Sequence, residues 1–407
     1  MEIKDQAGLR AVVGDTPIPK MCLVRQIFKR DGIADVAACL NEKLEVSGLG
    51  ERIKPGMRVV LTGSSRQIAN MPVILRELAS FVKKQGAQPY VIPAMGSHGG
   101  ATDEGQRAIL ESYGITEEFC GCPIHSSMET VRVGQLPNGD EVRVDKFAHE
   151  ADAVIVVGRI KAHTAFRGPY ESGLIKMMAI GMGKRAGADS LHSEGFGKMG
   201  ERLPQYAKVV FDSCNIIFGV APIENEFDQT CRIEVLPAEE IFEKEPELLL
   251  YAKTRLPRLI LPETDVLMVR EIGKNFSGSG MDPNVTGTFG TPYASGGIQK
   301  QRTVVRDISE ESHGAFIGLG MADTTTKRAF EKLDTNATYF NMITSTVLKV
   351  GKIPMVLEDD KLALQVALRT LTQVDKNHIR MVYIKNTLSL ENILVSEALL
   401  DQVRARN

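Results

Sequence analysis

The chain has 407 residues, 43% hydrophobic and 25% charged, with a formal net charge of −2. That length predicts two or three domains, each large enough to bury a core, and the balanced, interspersed charge argues against a phosphate-dominated nucleic-acid surface or a charged tail. The opening "MEIKDQAGLR" has no apolar core for a secretory signal and no run of about 18 apolar residues offers a membrane span, so the cytoplasm is the expected compartment.

In chain order the pattern alternates strand and helix. "MRVVLTG" (57–63) reads as a strand, and "MPVILRELASFVKKQG" as a helix closed by Gly86. "QPYVIPA" is the next strand, and "DEGQRAILESYG" the next helix, with Asp103 as N-cap and Gly114 as terminator. "DAVIVVGRI" (152–160) is a continuous apolar run, typical of a strand covered on both faces. "CNIIFGVA" (214–221) and "DVLMVREIG" (265–273) repeat the type. The last third reads as apolar "GAFIGLGMAD", helical "TTKRAFEKLD", strand-like "GKIPMVL", helical "DKLALQVALRTL" and the strand "HIRMVYIKN". The Pro-rich "AKTRLPRLILPETD" (252–265) suggests a domain boundary near 260, followed by a long Gly/Ser/Thr-rich loop at 278–297. The expectation is an α/β fold with mainly parallel sheets, in domains 1–260 and 261–407.

Six cysteines in so long a chain read as reduced thiols, and the single C-x-C at Cys120 and Cys122 is too little for a metal site. Ligands in open α/β sheets bind beyond the carboxyl ends of strands. Three histidines fall at such places: His98 in "PAMGSHGG", His163 in "GRIKAHTAFRG" and His192 in "ADSLHSEGFG". Each alone reads as an ordinary turn or surface residue; together they point to a shared site. His125 and His149 lack glycine framing and read as structural, His378 as exposed. His313, in "SEESHGAFIG", precedes a strand rather than following one, which leaves it at most a supporting role. The loop "TGSSRQIAN" offers Ser64, Ser65 and Arg66 to an anion, but it is not a Walker loop, and no GxGxxG opens a helix.

"ESGLIKMMAIGMGKR" (171–185) sets Lys176 among apolar residues. A lysine is rarely buried without a partner, because desolvating an ammonium is costly. Either Lys176 snorkels from a helix end, or its charge has been removed.

These residues resemble the nickel-pincer-dependent lactate racemases. In that family a lysine is joined as a thioamide to a pyridinium-3,5-bisthiocarboxylic acid mononucleotide that grips nickel, and a histidine further on completes the nickel ligands. The resemblance puts the tether at Lys176 and the nickel ligand at His192, sixteen residues later. It makes His98 and His163 the acid/base pair, and Ser65 and Arg66 part of a "D-x-T-R" segment that binds cofactor or substrate. Three departures stand out. About three extra residues separate His163 from Lys176. Gly63 and Ser65 replace the acid and threonine of that segment. In the family's "D-x-N-x-Y-Q-x-x-K" pattern, Asp282 and Asn284 match, but Thr286, Gly287 and Gly290 replace the tyrosine, glutamine and lysine.

What the resemblance implies is a racemase or epimerase inverting C2 of a 2-hydroxy acid other than lactate. Hydride leaves for the nickel-pincer cofactor as the hydroxyl proton leaves for a histidine, giving a 2-keto acid. Imidazoles suit the proton transfers, one on each face, and a neutral His192 suits nickel. A thioamide at Lys176 carries no ammonium to desolvate. Arg66 is the expected carboxylate anchor, with Lys274 and Arg167 as weaker candidates. Substrate and cofactor are expected in a cleft between the domains, and the partners are the 2-hydroxy acid and the proteins that make the cofactor. No nucleic acid or membrane is expected, and a homo-oligomer is left open. Two other readings compete: a nicotinamide-dependent 2-hydroxy acid dehydrogenase, weakened by the missing dinucleotide fingerprint, and a non-catalytic nucleotide- or metal-binding homologue.

Overall fold

The computed structural model describes residues 5–64 and 67–406, the side chain of Thr344 excepted. Its strands, in chain order, are β1 (Met21–Arg25), β2 (Arg58–Gly63), β3 (Gln88–Pro93), β4 (Thr130–Gln135), β5 (Glu141–Asp145), β6 (Ala153–Val157) and β7 (Ile216–Glu224). There follow β8 (Thr230–Pro237), β9 (Val266–Val269), β10 (Arg302–Val305), β11 (Thr324–Thr326), β12 (Met355–Leu357), β13 (Met381–Ile384) and β14 (Asn392–Ser396). The chain divides into two compact units, Arg30–Leu256, and Met1–Lys29 with Pro257–Asn407.

In the unit Arg30–Leu256 the strand order is β3-β2-β6-β7-β8, parallel except for the last pair, and β4 and β5 form a separate hairpin. Every residue of β6 is buried, as its unbroken apolar run requires of a strand covered on both faces. The helix Met71–Lys84 turns Ile74, Leu75, Leu78 and Val82 onto the sheet, with Pro72 in its first turn, where a missing N–H costs nothing. Each such side chain contributes about 1.5–3 kcal/mol by leaving water. Gly86, at φ +78°, ends the helix in the left-handed region that glycine enters without strain. The helix Asp103–Ser112 begins one residue earlier than expected. Thr102 is the cap, its side chain accepting from Gly105 N, and Asp103 lies inside the first turn.

The other unit holds a seven-stranded sheet in the order β1-β14-β13-β9-β10-β11-β12. Its five strands from β13 to β12 are parallel; β14 and β1 add antiparallel at one edge. Both sheets are thus mainly parallel, with helices between strands: the α/β class holds.

Two expectations need correction. The first 29 residues do not belong with residues 30–260: β1 pairs with β14 over five residues, Met21 opposite Ser396 through Arg25 opposite Asn392, so the chain starts in the unit it ends in. Second, "GAFIGLGMAD" is not a strand. Gly314 and Gly318 stand at φ +79° and +95°, and the segment folds as turns and a short 3₁₀ helix, Leu319–Met321. The reason for setting His313 aside therefore fails.

The pairing of β1 gives a direct test. A chain started at residue 30 should lose slow amide exchange at residues 393–395 while residues 59–61 and 154–156 keep theirs, read by hydrogen-exchange mass spectrometry. Unchanged protection in β14 would refute the reassignment.

Candidate active site

Three parallel strands, β3, β2 and β6, end together at one sheet edge, and the histidine loops grow from it. His98 lies five residues beyond β3, in a turn where its N–H donates to Met95 O. His163 follows β6, with its N–H donating to Glu171 Oε2 at 2.7 Å. Glu171 is fully buried, and Lys253 (2.7 Å) and Arg167 (3.4 Å) neutralise it. Arg167 also donates to His163 O at 2.5 Å, so this arginine braces the loop that carries His163. The loop after β2, which contains Ser65 and Arg66, lies outside the described residues at those two positions. Arg159 pairs with Glu224 next to that loop and also reaches Gln67 O.

Lys176 ends a short helical run, Leu174–Lys176, and is half-buried, while Leu174, Ile175, Met177 and Met178 are buried. Next comes a π-helical turn, Met177–Gly181, closed by Met182 N donating to Met177 O at 2.9 Å. Such turns are rare and concentrate at functional sites. The helix Lys184–His192 follows, with His192 as its last residue.

The imidazoles of His163 and His192 are set in opposite tautomers. His192 Nδ1 lies 2.7 Å from Ala188 O. A carbonyl only accepts, so Nδ1 carries the proton and the Nε2 lone pair is left for a metal. His163 Nδ1 instead accepts from Ala165 N at 3.1 Å, which puts the proton of its neutral form on Nε2. Phe196 joins the two, its ring centroid 5.8 Å from His163 and 5.5 Å from His192; Phe166 lies 4.5 Å from His163. Burial holds His192 below the ordinary histidine value; its bond to Ala188 opposes this, and the charge of Lys176 adds to it. Lys176 and His192 therefore share one electrostatic neighbourhood. His192 should then titrate below the usual histidine range with its proton on Nδ1, and neutral His163 should carry it on Nε2. Long-range ¹H–¹⁵N spectra of apo-protein across a pH series would show this, and the opposite tautomer at His192 would remove the metal-ready nitrogen.

Buried polar groups that the sequence did not single out hold the Lys176 segment. Glu245, from the helix Ile241–Thr254, accepts from Ile175 N at 2.9 Å, one residue ahead of Lys176. Its Oε1 has no hydrogen-bond partner among the described residues. Burial pushes this carboxyl up to about 8, against the pull of the Ile175 and Leu174 N–H groups. Downstream, Lys184 and Asp145 are both fully buried and face each other at 2.9 Å. Burial disfavours the charge on each, and their attraction opposes it. Lys184 also donates to Pro93 O (2.5 Å) and to Gln106 Oε1 (3.1 Å). The fully buried lysine of the stretch 171–185 is thus Lys184, not Lys176.

A carboxyl whose folded value lies above its unfolded one, here about 8 against 4.5, supports folding while protonated and loses that support as pH rises through 8. Glu245→Gln imitates the protonated form. It should match the parent near pH 4 and exceed it above pH 8 by about 5 kcal/mol in urea unfolding. Equal stability at both pH values would show that the carboxyl ionises normally.

The remaining candidates lie in the other unit. Lys274 N donates to Ser312 Oγ at 2.9 Å, which makes His313 a close neighbour of the Lys274 segment. Asp282 caps the short helix Pro283–Thr286 and accepts from both the N–H and Nδ2 of Asn284 at 2.9 Å, so these two matched residues serve a local turn. His125 stacks on Tyr90 and meets the Phe147 ring at a tilt, 5.1 Å between centroids. Among the described residues, no group of three or more His, Cys, Asp or Glu is placed to hold a metal, and no helix is long and apolar enough to cross a membrane.

Comparison with known proteins is informative for fold and family. A Thermotoga maritima protein of known crystal structure aligns with 90% of this chain and 99% of its own, at 14% identity and a TM-score of 0.54. The lactate racemase apoprotein from Thermoanaerobacterium thermosaccharolyticum aligns over 88% and 93%, at 12% identity and a TM-score of 0.51. No curated protein matches the sequence. Residues 21–202, which span the strands β1 to β6, the loops of His98 and His163, Lys176 and His192, match the lactate racemase N-terminal domain.

Proposed function

We propose that this protein is an isomerase that inverts C2 of a 2-hydroxy acid larger or more polar than lactate. The observation that carries the reading is His192: its Nδ1 proton is committed to Ala188 O, its Nε2 is left as a donor, and Lys176 stands in the same electrostatic neighbourhood. A pincer nucleotide brings most of its own metal donors, so one imidazole and one amine suffice to hold it. Lys176 would carry it as a thioamide and His192 would complete the nickel ligands. When bound, that group supplies the hydride acceptor that side chains lack.

The chain's own groups then do the rest. His98 and His163 exchange the hydroxyl proton, one for each face of the substrate, as the 2-hydroxy acid passes through its 2-keto acid. His163 must give up the Ala165 hydrogen bond to take a proton at Nδ1, so its loop has to yield slightly in the catalytic cycle. Glu171 keeps that loop in register through His163 N. Arg66 is the proposed carboxylate anchor, and Phe166 and Phe196 exclude water beside the imidazoles.

Packing supports a substrate other than lactate. Gly287, where the family pattern has glutamine, stands at φ +70°, and a Cβ there would collide with Ile298 O. Gly290, in place of the lysine, packs against Val350, and Thr286, in place of the tyrosine, is fully buried. The family's substrate-contacting side chains have no room at these positions.

Protein from a host that makes the cofactor should show a modified Lys176 and bound nickel by peptide mass spectrometry and metal analysis. It should also interconvert the epimers of at least one longer or polyhydroxylated 2-hydroxy acid, with His98→Ala and His163→Ala each slowing turnover at least about 100-fold. An unmodified lysine, or a full substrate panel left stereochemically unchanged, would end the isomerase reading.

A further inference from the structure

The geometry points to Lys184 as a positioning residue for His98: with Asp145 and Gln106 it fixes the His98 turn against the segment that carries Lys176 and His192. The assignment rests on the isomerase reading for its catalytic meaning, but not for its geometry.

Lys184 Nζ donates to Pro93 O and Gln106 Oε1 and faces Asp145 Oδ2 as an ion pair at 2.9 Å, and none of the three side chains in this cluster is exposed. Each partner belongs to a different segment. Asp145 ends β5 and binds the tether segment through its own N–H, which donates to Met182 O at 2.7 Å. Pro93 ends β3, immediately ahead of the His98 turn. Gln106 hands the contact on: its Nε2 donates to Gly96 O at 2.8 Å and to His98 O at 3.3 Å. The turn closes back on the tether segment, since Gly96 N donates to Gly181 O at 3.2 Å. Gly96, at φ +59°, leaves a Cβ position only 3.2 Å from Ile180 and 3.5 Å from Ala188, so the turn packs directly on those two side chains.

Lys184 itself stands at φ +52°, a backbone state that a lysine adopts at a cost. A buried ion pair is weak evidence for stability, because an apolar pair of similar size often does as well. Here the lysine joins the end of β3, the end of β5 and the helix Asp103–Ser112, and the glutamine carries the link on to residues 96 and 98 of the turn. Positional specificity accounts for both the strain and the buried charge.

The test uses two variants. Lys184→Met with Asp145→Asn removes the pair without stranding a carboxylate, and Gln106→Met leaves the pair intact but cuts the link to residues 96 and 98. In apo-protein, diethyl pyrocarbonate modification followed by peptide mass spectrometry should show His98 reacting about threefold or more faster in both variants, with His163 and His192 within about twofold of the parent. In cofactor-loaded protein, kcat on the active epimer should fall about tenfold or more with KM little changed. An unchanged His98 rate in folded Gln106→Met, or a parallel rise at all three histidines, overturns the assignment. A parent protein that isomerises nothing, yet shows the selective rise at His98, sinks the isomerase reading and leaves the positioning role in place.

Discussion

The ion pair between Lys184 and Asp145 is the constraint on which the rest of the site depends. Removing two charges from water costs several kcal/mol for each ion, and the loss is offset only when every oxygen around the ammonium is in place. The end of β3, the end of β5, the helix after the π-turn and the first turns of the helix Asp103–Ser112 must therefore be assembled together. A partly formed edge would leave a buried charge with too few partners, which is a strong bias against intermediate arrangements. The loops at this sheet edge are long and glycine-rich, and they owe their fixed course to polar bonds that solvent cannot reach.

Around that constraint, polar atoms hold the chain where apolar packing alone would not choose one position. Glu245 holds the start of the Lys176 segment and Glu171 the loop of His163. Each carboxylate is fully buried or nearly so, and each binds a backbone N–H that no regular element satisfies. The two histidines beside Phe196 show the same economy: one backbone carbonyl and one backbone N–H set their tautomers in opposite senses.

Much of the fold was legible in the sequence because its parallel strands are short, β-branched and apolar on both faces, and its longer helices carry clear caps and terminators. The runs at 57–63 and 152–160 and the helix closed by Gly86 are examples. Shorter pieces left little trace: β11 and β12 are three residues each, and β1 and β14 are edge partners whose pairing spans most of the chain length. The β4–β5 hairpin did leave a signal, alternating valines around the Asn138–Gly139 turn, which passed unread beside the stronger helical patterns. "GAFIGLGMAD" was misread because apolar content suggests a strand while its glycines take left-handed angles that no strand contains. In the site, the histidines were legible from their place after strands. The rule that a buried lysine needs a partner was sound, but it pointed to Lys176, ringed by apolar neighbours in sequence. The residue that obeys it is Lys184, whose neighbours Gly183 and Arg185 look like a surface turn. Only three-dimensional contact reveals a partner such as Asp145, far away along the chain.

The glycines at 287 and 290 have a consequence for how this lineage could change. Gly287, left-handed and pressed against the Ile298 carbonyl, and Gly290, against Val350, leave no space for a side chain beyond the α-carbon. Restoring glutamine and lysine there by point substitution would break the surrounding chain before it changed what is recognised. What this segment can present is therefore set by main-chain geometry, and placing a side chain at 287 would require remodelling the loop as a block.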